Sequence, residues 1–128
     1  MPAFEGRLAG DEFTPTEKQL LDRLCSGLGP ESFSARRQLQ TARWGGYEYE
    51  GCKCFLIQIP ASSTAPLINH DGGPFTMLEV SADSASFGML ELWVLDGLLH
   101  SVTYMPFGED HVELPTAAEF ELTLIEYP

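Results

Sequence analysis

The spacing of apolar residues changes once along this chain, near Trp44, and that change limits the fold more than any other feature. Before it, Leu20, Leu21, Leu24 and Leu28 recur at helical spacing. After it, apolar and polar residues alternate with a period of two. The two periods are not interchangeable. Side chains 3.6 residues per turn share a helix face, whereas side chains two apart share a strand face. The chain therefore reads as helices first and strands after, without alternation. That order favours an α+β fold over a parallel α/β sheet.

The first helix is expected over residues 14–28, "TPTEKQLLDRLCSGL". Thr14 stands three residues before Glu17, the spacing of a capping box, and Pro15 occupies the first helical position, where its missing N–H costs nothing. Gly27 or Gly29 can end the helix, and Pro30 prevents its continuation. Cys25 lies beside the leucine face as a core thiol. A second helix is expected over residues 31–42, "ESFSARRQLQTA", with Phe33, Leu39 and Ala42 inward. Arg36 and Arg37 would face solvent or the acidic half of the chain.

Beyond Trp44, "GYEYE" sets Tyr47 and Tyr49 against Glu48 and Glu50. "CKCFLIQIP" places Phe55, Ile57 and Ile59 on one face and Cys52, Cys54, Leu56 and Gln58 on the other. Pro60 stops that strand, and "ASSTAPLINHDGGP" is a loop of turn formers. "FTMLEVS" resumes the alternation, with Thr76, Leu78 and Val80 opposite Met77, Glu79 and Ser81. In "GMLELWVLDGLLHSVTYMP", Leu90, Leu92 and Val94 share a face and Asp96-Gly97 is a hairpin turn. Leu99 is out of phase with Val102 and Tyr104, which predicts a β-bulge near His100 and Ser101. The last strand points Phe120, Leu122 and Leu124 inward, with Glu119, Glu121 and Thr123 outward. The expected architecture is two N-terminal helices packed on one face of a largely antiparallel sheet of about five to six strands. At 128 residues and 44% apolar content, one domain spanning 1–128 suffices to bury a core.

The strand "GCKCFLIQIP" and the hairpin "LELWVLDGLLHSVTY", following an N-terminal helical part, resemble small uncharacterised bacterial domains of actinobacterial type. The likeness spans about residues 35–105. This chain has Thr103 where those domains would carry Glu, and Lys53 where Gly is more usual. The resemblance implies an immunity-type protein that blocks a polymorphic toxin, and it implies no catalytic residue.

Charge is distributed unevenly. All seven cations, Arg7, Lys18, Arg23, Arg36, Arg37, Arg43 and Lys53, lie at or before residue 53, together with eight acids. Residues 54–128 hold eleven acids and no Lys or Arg. A net charge of −12 disfavours nucleic acid, whose phosphates need Lys and Arg, and anionic membrane surfaces. No run of about 18 apolar residues marks a membrane span, and the N-terminus lacks a basic start and apolar core, so a cytoplasmic location is expected. A negative field over the strand-rich part would steer a basic partner and speed its association. The plainer explanation of the same charge is solubility.

Other motifs carry side chains capable of chemistry. Cys52 and Cys54 flank Lys53 and point the same way on a strand. They could supply two of the four ligands that zinc takes, with His70, His100 or Cys25 completing the set. A disulfide at this spacing is sterically awkward, and an odd, small cysteine count predicts free thiols. His70-Asp71 could act as a general base, but Asp71-Gly72-Gly73 is better explained as a turn. A nucleophilic Cys54 with His70 would need the fold to bring them together. Gly45-Gly46 and Gly72-Gly73 lack the context of phosphate loops. Trp93 is opposite in phase to Leu90, Leu92 and Val94, which places it on the less buried sheet face near Glu91.

The expected function is a non-enzymatic, acidic protein-binding module without a cofactor. It would bind a basic protein such as a cognate toxin, with Glu79, Glu91, Asp96, Glu109, Asp110 and Glu113 steering and Trp93, Tyr104 and Phe107 as anchors. The alternative is a small zinc- or thiol-dependent protein centred on Cys52 and Cys54.

Overall fold

The structure, a computed structural model, describes residues 7–49, 53–107 and 113–126. Two helices come first, α1 (Pro15–Leu24) and α2 (Pro30–Leu39). Six strands follow: β1 (Arg43–Tyr47), β2 (Phe55–Gln58), β3 (Thr76–Ala82), β4 (Ala85–Leu95), β5 (Leu98–Pro106) and β6 (Glu121–Glu126). They form one sheet in the order β1-β2-β5-β4-β3-β6, with every neighbouring pair antiparallel. The fold is α+β, with the helices at the N-terminus.

Helix α1 starts as the capping box requires. Thr14 Oγ1 accepts from the Glu17 amide at 3.1 Å, and Glu17 Oε1 accepts from the Thr14 amide at 2.9 Å. Glu17 also takes a bidentate pair from Arg7, whose guanidinium stacks 3.7 Å from the Trp44 ring centroid. The helix ends at Leu24, short of Gly27. Leu28 is consequently 97% exposed and is not part of the buried face.

Helix α2 differs more from expectation. Phe33 is 53% exposed, and the buried positions are Ser32, Ala35, Gln38 and Leu39. Polar Gln38 faces inward because the sheet below it offers backbone groups to bind. Its amide donates to the Pro66 and Gly97 carbonyls at 3.0 and 2.8 Å, and its Oε1 accepts from the Leu99 amide at 2.9 Å. Arg36 turns inward too, donating to the carbonyls of Cys25 and Gly27 beyond the end of α1.

The β4–β5 hairpin turns at Asp96 and Gly97 with φ values of 52° and 80°, the left-handed pair that a two-residue type I′ turn needs. Its register shifts between Trp93↔Ser101 and Val94↔Leu99, which leaves His100 as the extra residue. The expected bulge is therefore present. Asp83 and Ser84 make a second tight turn at φ 51° and 66°, joining β3 to β4. Strand β1 runs earlier than the "GYEYE" alternation suggested. Tyr49 lies past its end, and Glu50 lies outside the described residues.

Both helices pack on one side of the sheet, α1 against β3 and α2 against β5. The core joins Leu20, Leu21, Leu24, Ala35 and Leu39 to Phe55, Leu78, Val80, Leu90, Leu92 and Val102. Leu122, Leu124 and Phe120 pack against it from the edge, as their phase predicted. Among the described residues, no helix is long and apolar enough to cross a membrane.

Candidate protein-docking face

Alternation sends the remaining residues of β2–β6 to the side away from the helices. Register aligns them in rows. Leu56 stands opposite Ser101, and Ser101 opposite Trp93. Thr103 is opposite Glu91, Glu91 opposite Met77, and Met77 opposite Ile125. Met105 is opposite Met89, Met89 opposite Glu79, and Glu79 opposite Thr123. Met77 is buried yet outside the core cluster, as its position on this second face requires. Trp93, Met89, Glu79 and Glu91 are half-buried, and Met105 is exposed.

Composition sets this face apart from an ordinary solvated sheet surface, which carries polar residues and charges of both signs. Three of the chain's four methionines lie on it, and its outward rows contain three carboxylates, Glu79, Glu91 and Glu121 at the β6 edge, and no cation. Glu79 and Glu91 are diagonal neighbours across β3 and β4, each opposite a methionine. Diagonal cross-strand neighbours are about 7 Å apart. Met77, Met89 and Met105 share the odd phase of Glu79, Glu91 and Trp93. That coincidence was present in the sequence, and its meaning appears once the register is known.

The cations that form ion pairs do so elsewhere. Arg7 pairs with Glu17, Lys18 with Asp22 and Arg43 with Glu12, all within the N-terminal part. Lys53 reaches Glu113 at 4.0 Å and lies 5.1 Å from the Tyr47 ring centroid. Among the described residues, Glu79 and Glu91 take part in none of the ion pairs.

The other expected anchors and acids are scattered. Tyr104 faces the core at 8% exposure, with its phenol pushed upward in pKa by burial, so it is not an exposed anchor. The bulge at His100 resets the phase and turns Tyr104 inward opposite Leu90. Phe107 is 51% exposed at the end of β5, where its amide bonds the Phe87 carbonyl. Asp96 occupies the hairpin tip beside exposed Leu95 and Leu98, away from the face. Glu113 is exposed beside Lys53. Glu109 and Asp110 lie outside the described residues.

The cysteines correct another expectation. Cys54 is disulfide-bonded, and Cys25 is the free cysteine among the described residues. Cys52 lies outside the described residues. The expectation of free thiols therefore fails at Cys54, just before β2 begins at Phe55. Cys54 Sγ accepts the Tyr104 amide at 3.3 Å. A sulfur held in a disulfide offers no thiolate to a metal or a substrate. Cys25 is fully buried, and burial raises its thiol to about 12. His70 bonds the Gly73 carbonyl at 3.3 Å and packs edge-on against Phe75, in keeping with a turn. Among the described residues, no three His, Cys, Asp or Glu side chains converge as a metal set.

Comparisons with family models, with curated proteins and with solved structures find no match for this chain.

Proposed function

We propose that this protein is a non-enzymatic binding module that captures a basic protein on the open face of its sheet, as an immunity-type inhibitor captures a toxin. The observation that carries this reading is the convergence of Glu79, Glu91 and Trp93 on the one sheet face the helices leave uncovered. The carboxylates there have no cation of the described chain beside them, so their field is available to a partner. Trp93 and the methionines supply apolar surface that the partner can desolvate. The expected division of labour is charge for encounter and the apolar row for residence.

The test is binding of the basic product of a neighbouring reading frame, measured by stopped flow at several salt concentrations. The association rate should fall as salt rises. Glu79→Gln/Glu91→Gln should slow association, and Trp93→Ala should speed dissociation. Association that ignores both salt and the two carboxylates would remove the basis of the proposal.

A further inference from the structure

We infer that the occupant of the open face is a basic amphipathic helix, which sets two cations one turn apart against Glu79 and Glu91 and lays an apolar row over Met89 and Met105. The inference rests on the binding-module reading and specifies the partner's shape.

Backbone bonding excludes an extended occupant here. Strands β5, β4 and β3 each have a neighbour on both sides, so their main-chain donors and acceptors point along the sheet to one another. An added strand would have to join the β1 or β6 edge instead. Only side chains meet a partner on the face, and a helix presents side chains on all sides at close spacing.

The carboxylate spacing fits that shape. Glu79 and Glu91 are diagonal neighbours, about 7 Å apart. Residues three or four apart on a helix are about 5–6 Å apart at Cβ, and Lys or Arg stems have reach to spare. A cation pair at i and i+4 can therefore engage both carboxylates together. The apolar side of the same helix would fall on Met89 and Met105, which are opposite each other in register. Unbranched methionines adapt to irregular apolar partners, so the face needs no preformed pocket.

Charge decides against other occupants. A second copy stacked face to face would bring its own Glu79 and Glu91 toward this pair. An anionic membrane would meet Glu79, Glu91 and Glu121 and no cation.

The probe is a fluorescein-labelled leucine–lysine peptide of roughly 18 residues, helical and with lysines at i and i+4 beside a leucine row. A second peptide of matched composition carries two central prolines, which prevent the helix. Fluorescence anisotropy should show tighter binding of the helical peptide, by about tenfold. Glu79→Gln/Glu91→Gln should weaken it by about tenfold, the order expected for losing two exposed charge pairs. Met89→Ser/Met105→Ser should weaken it to a similar degree. Asp71→Asn/Asp83→Asn removes the same charge from exposed turns and should change binding less than twofold. Trp93 fluorescence should shift with the unlabelled peptide, since Trp44 is buried on the other side of the sheet. Circular dichroism and melting temperature establish that each variant is folded.

Equal binding of the proline peptide, or equal loss in the Asp71/Asp83 variant, overturns the helical occupant and leaves only bulk attraction. A dimer that dissociates on Met105→Ser, seen by sedimentation, overturns it in favour of a second copy. The binding-module reading survives these outcomes if a basic protein still loses affinity on Glu79→Gln/Glu91→Gln. If that double variant holds the basic protein unchanged, both proposals fall.

Discussion

Replacing Gln38 by leucine should destabilise the protein by about 3 kcal/mol, although the two side chains are similar in size. Gln38 is fully buried, with both amide hydrogens donated to the Pro66 and Gly97 carbonyls and its Oε1 accepting the Leu99 amide. The cost arises mostly at one atom. The register shift at His100 ends the paired β2–β5 residues at Leu56↔Ser101, and the Leu99 amide turns to Gln38 Oε1 instead. Leu99 is buried, so its N–H would lose its partner without gaining water. An orphaned buried donor costs about 1–3 kcal/mol. Gly97 O would keep the Ile68 amide at 2.8 Å, and Pro66 is exposed enough for hydration. Those two losses therefore add about 1 kcal/mol together. For a chain of this length the total corresponds to a melting-temperature drop of about 10 °C. Urea unfolding should show a lower midpoint at unchanged slope, and hydrogen exchange should accelerate first at Leu99. Phe33→Ser, on the exposed side of the same helix, should stay within about 0.5 kcal/mol of wild type. A Gln38→Leu variant as stable as the parent would refute the assignment of Gln38 as the clamp on the hairpin that carries Glu91 and Trp93.

Thiol titration of the unfolded protein should count more thiols after reduction than before it, because Cys54 is disulfide-bonded while Cys25 is free. In the folded state at pH 8, Cys25 should resist alkylation, since burial raises it to about 12. That shift also has a stability consequence. The folded state holds the Cys25 proton above the pH at which the unfolded chain releases it, so stability is present at neutral pH and falls between 9 and about 12. Cys25→Ala should flatten the alkaline limb measured by urea unfolding, leaving the smaller decline from buried Tyr104, which is raised in the same direction. Gly27→Ala should cost less than about 1 kcal/mol, because the nearest atoms a Cβ would meet belong to the carboxylate end of exposed Glu126, which can swing aside, and urea unfolding would measure it. Thr14→Ala should cost about 1 kcal/mol through the lost cap, read from the same unfolding curves.

Local chemistry was legible where a residue's neighbours in sequence are also its partners. The Thr14–Glu17 capping box, the Asp96-Gly97 turn and the bulge beside His100 depend on residues within a few positions of one another. Each follows from backbone geometry that the sequence states directly. Helix ends and helix faces were less legible. In "LCSGLGP" the two glycines mark possible helix ends, and α1 stops at Leu24, before either of them. Phe33 is expected inside from its hydrophobicity, but Gln38 is buried instead, because its amide answers the carbonyls of Pro66 and Gly97 and the N–H of Leu99. Such a preference belongs to partners 28 to 61 residues away.

The candidate site divides in the same manner. The phase of Trp93, and the absence of cations after Lys53, could be read along the chain. The sequence by itself determined the order of helices and strands, the alternation that separates the two sheet faces, and the one-sided charge. Tertiary structure alone decided that Tyr104 turns inward opposite Leu90, that Gln38 rather than Phe33 is buried, and that methionines from three strands line up beside Glu79 and Glu91. The physical reason is that alternation is a property of one strand, whereas a surface is made by register between strands, and register is set by contacts far apart in the chain.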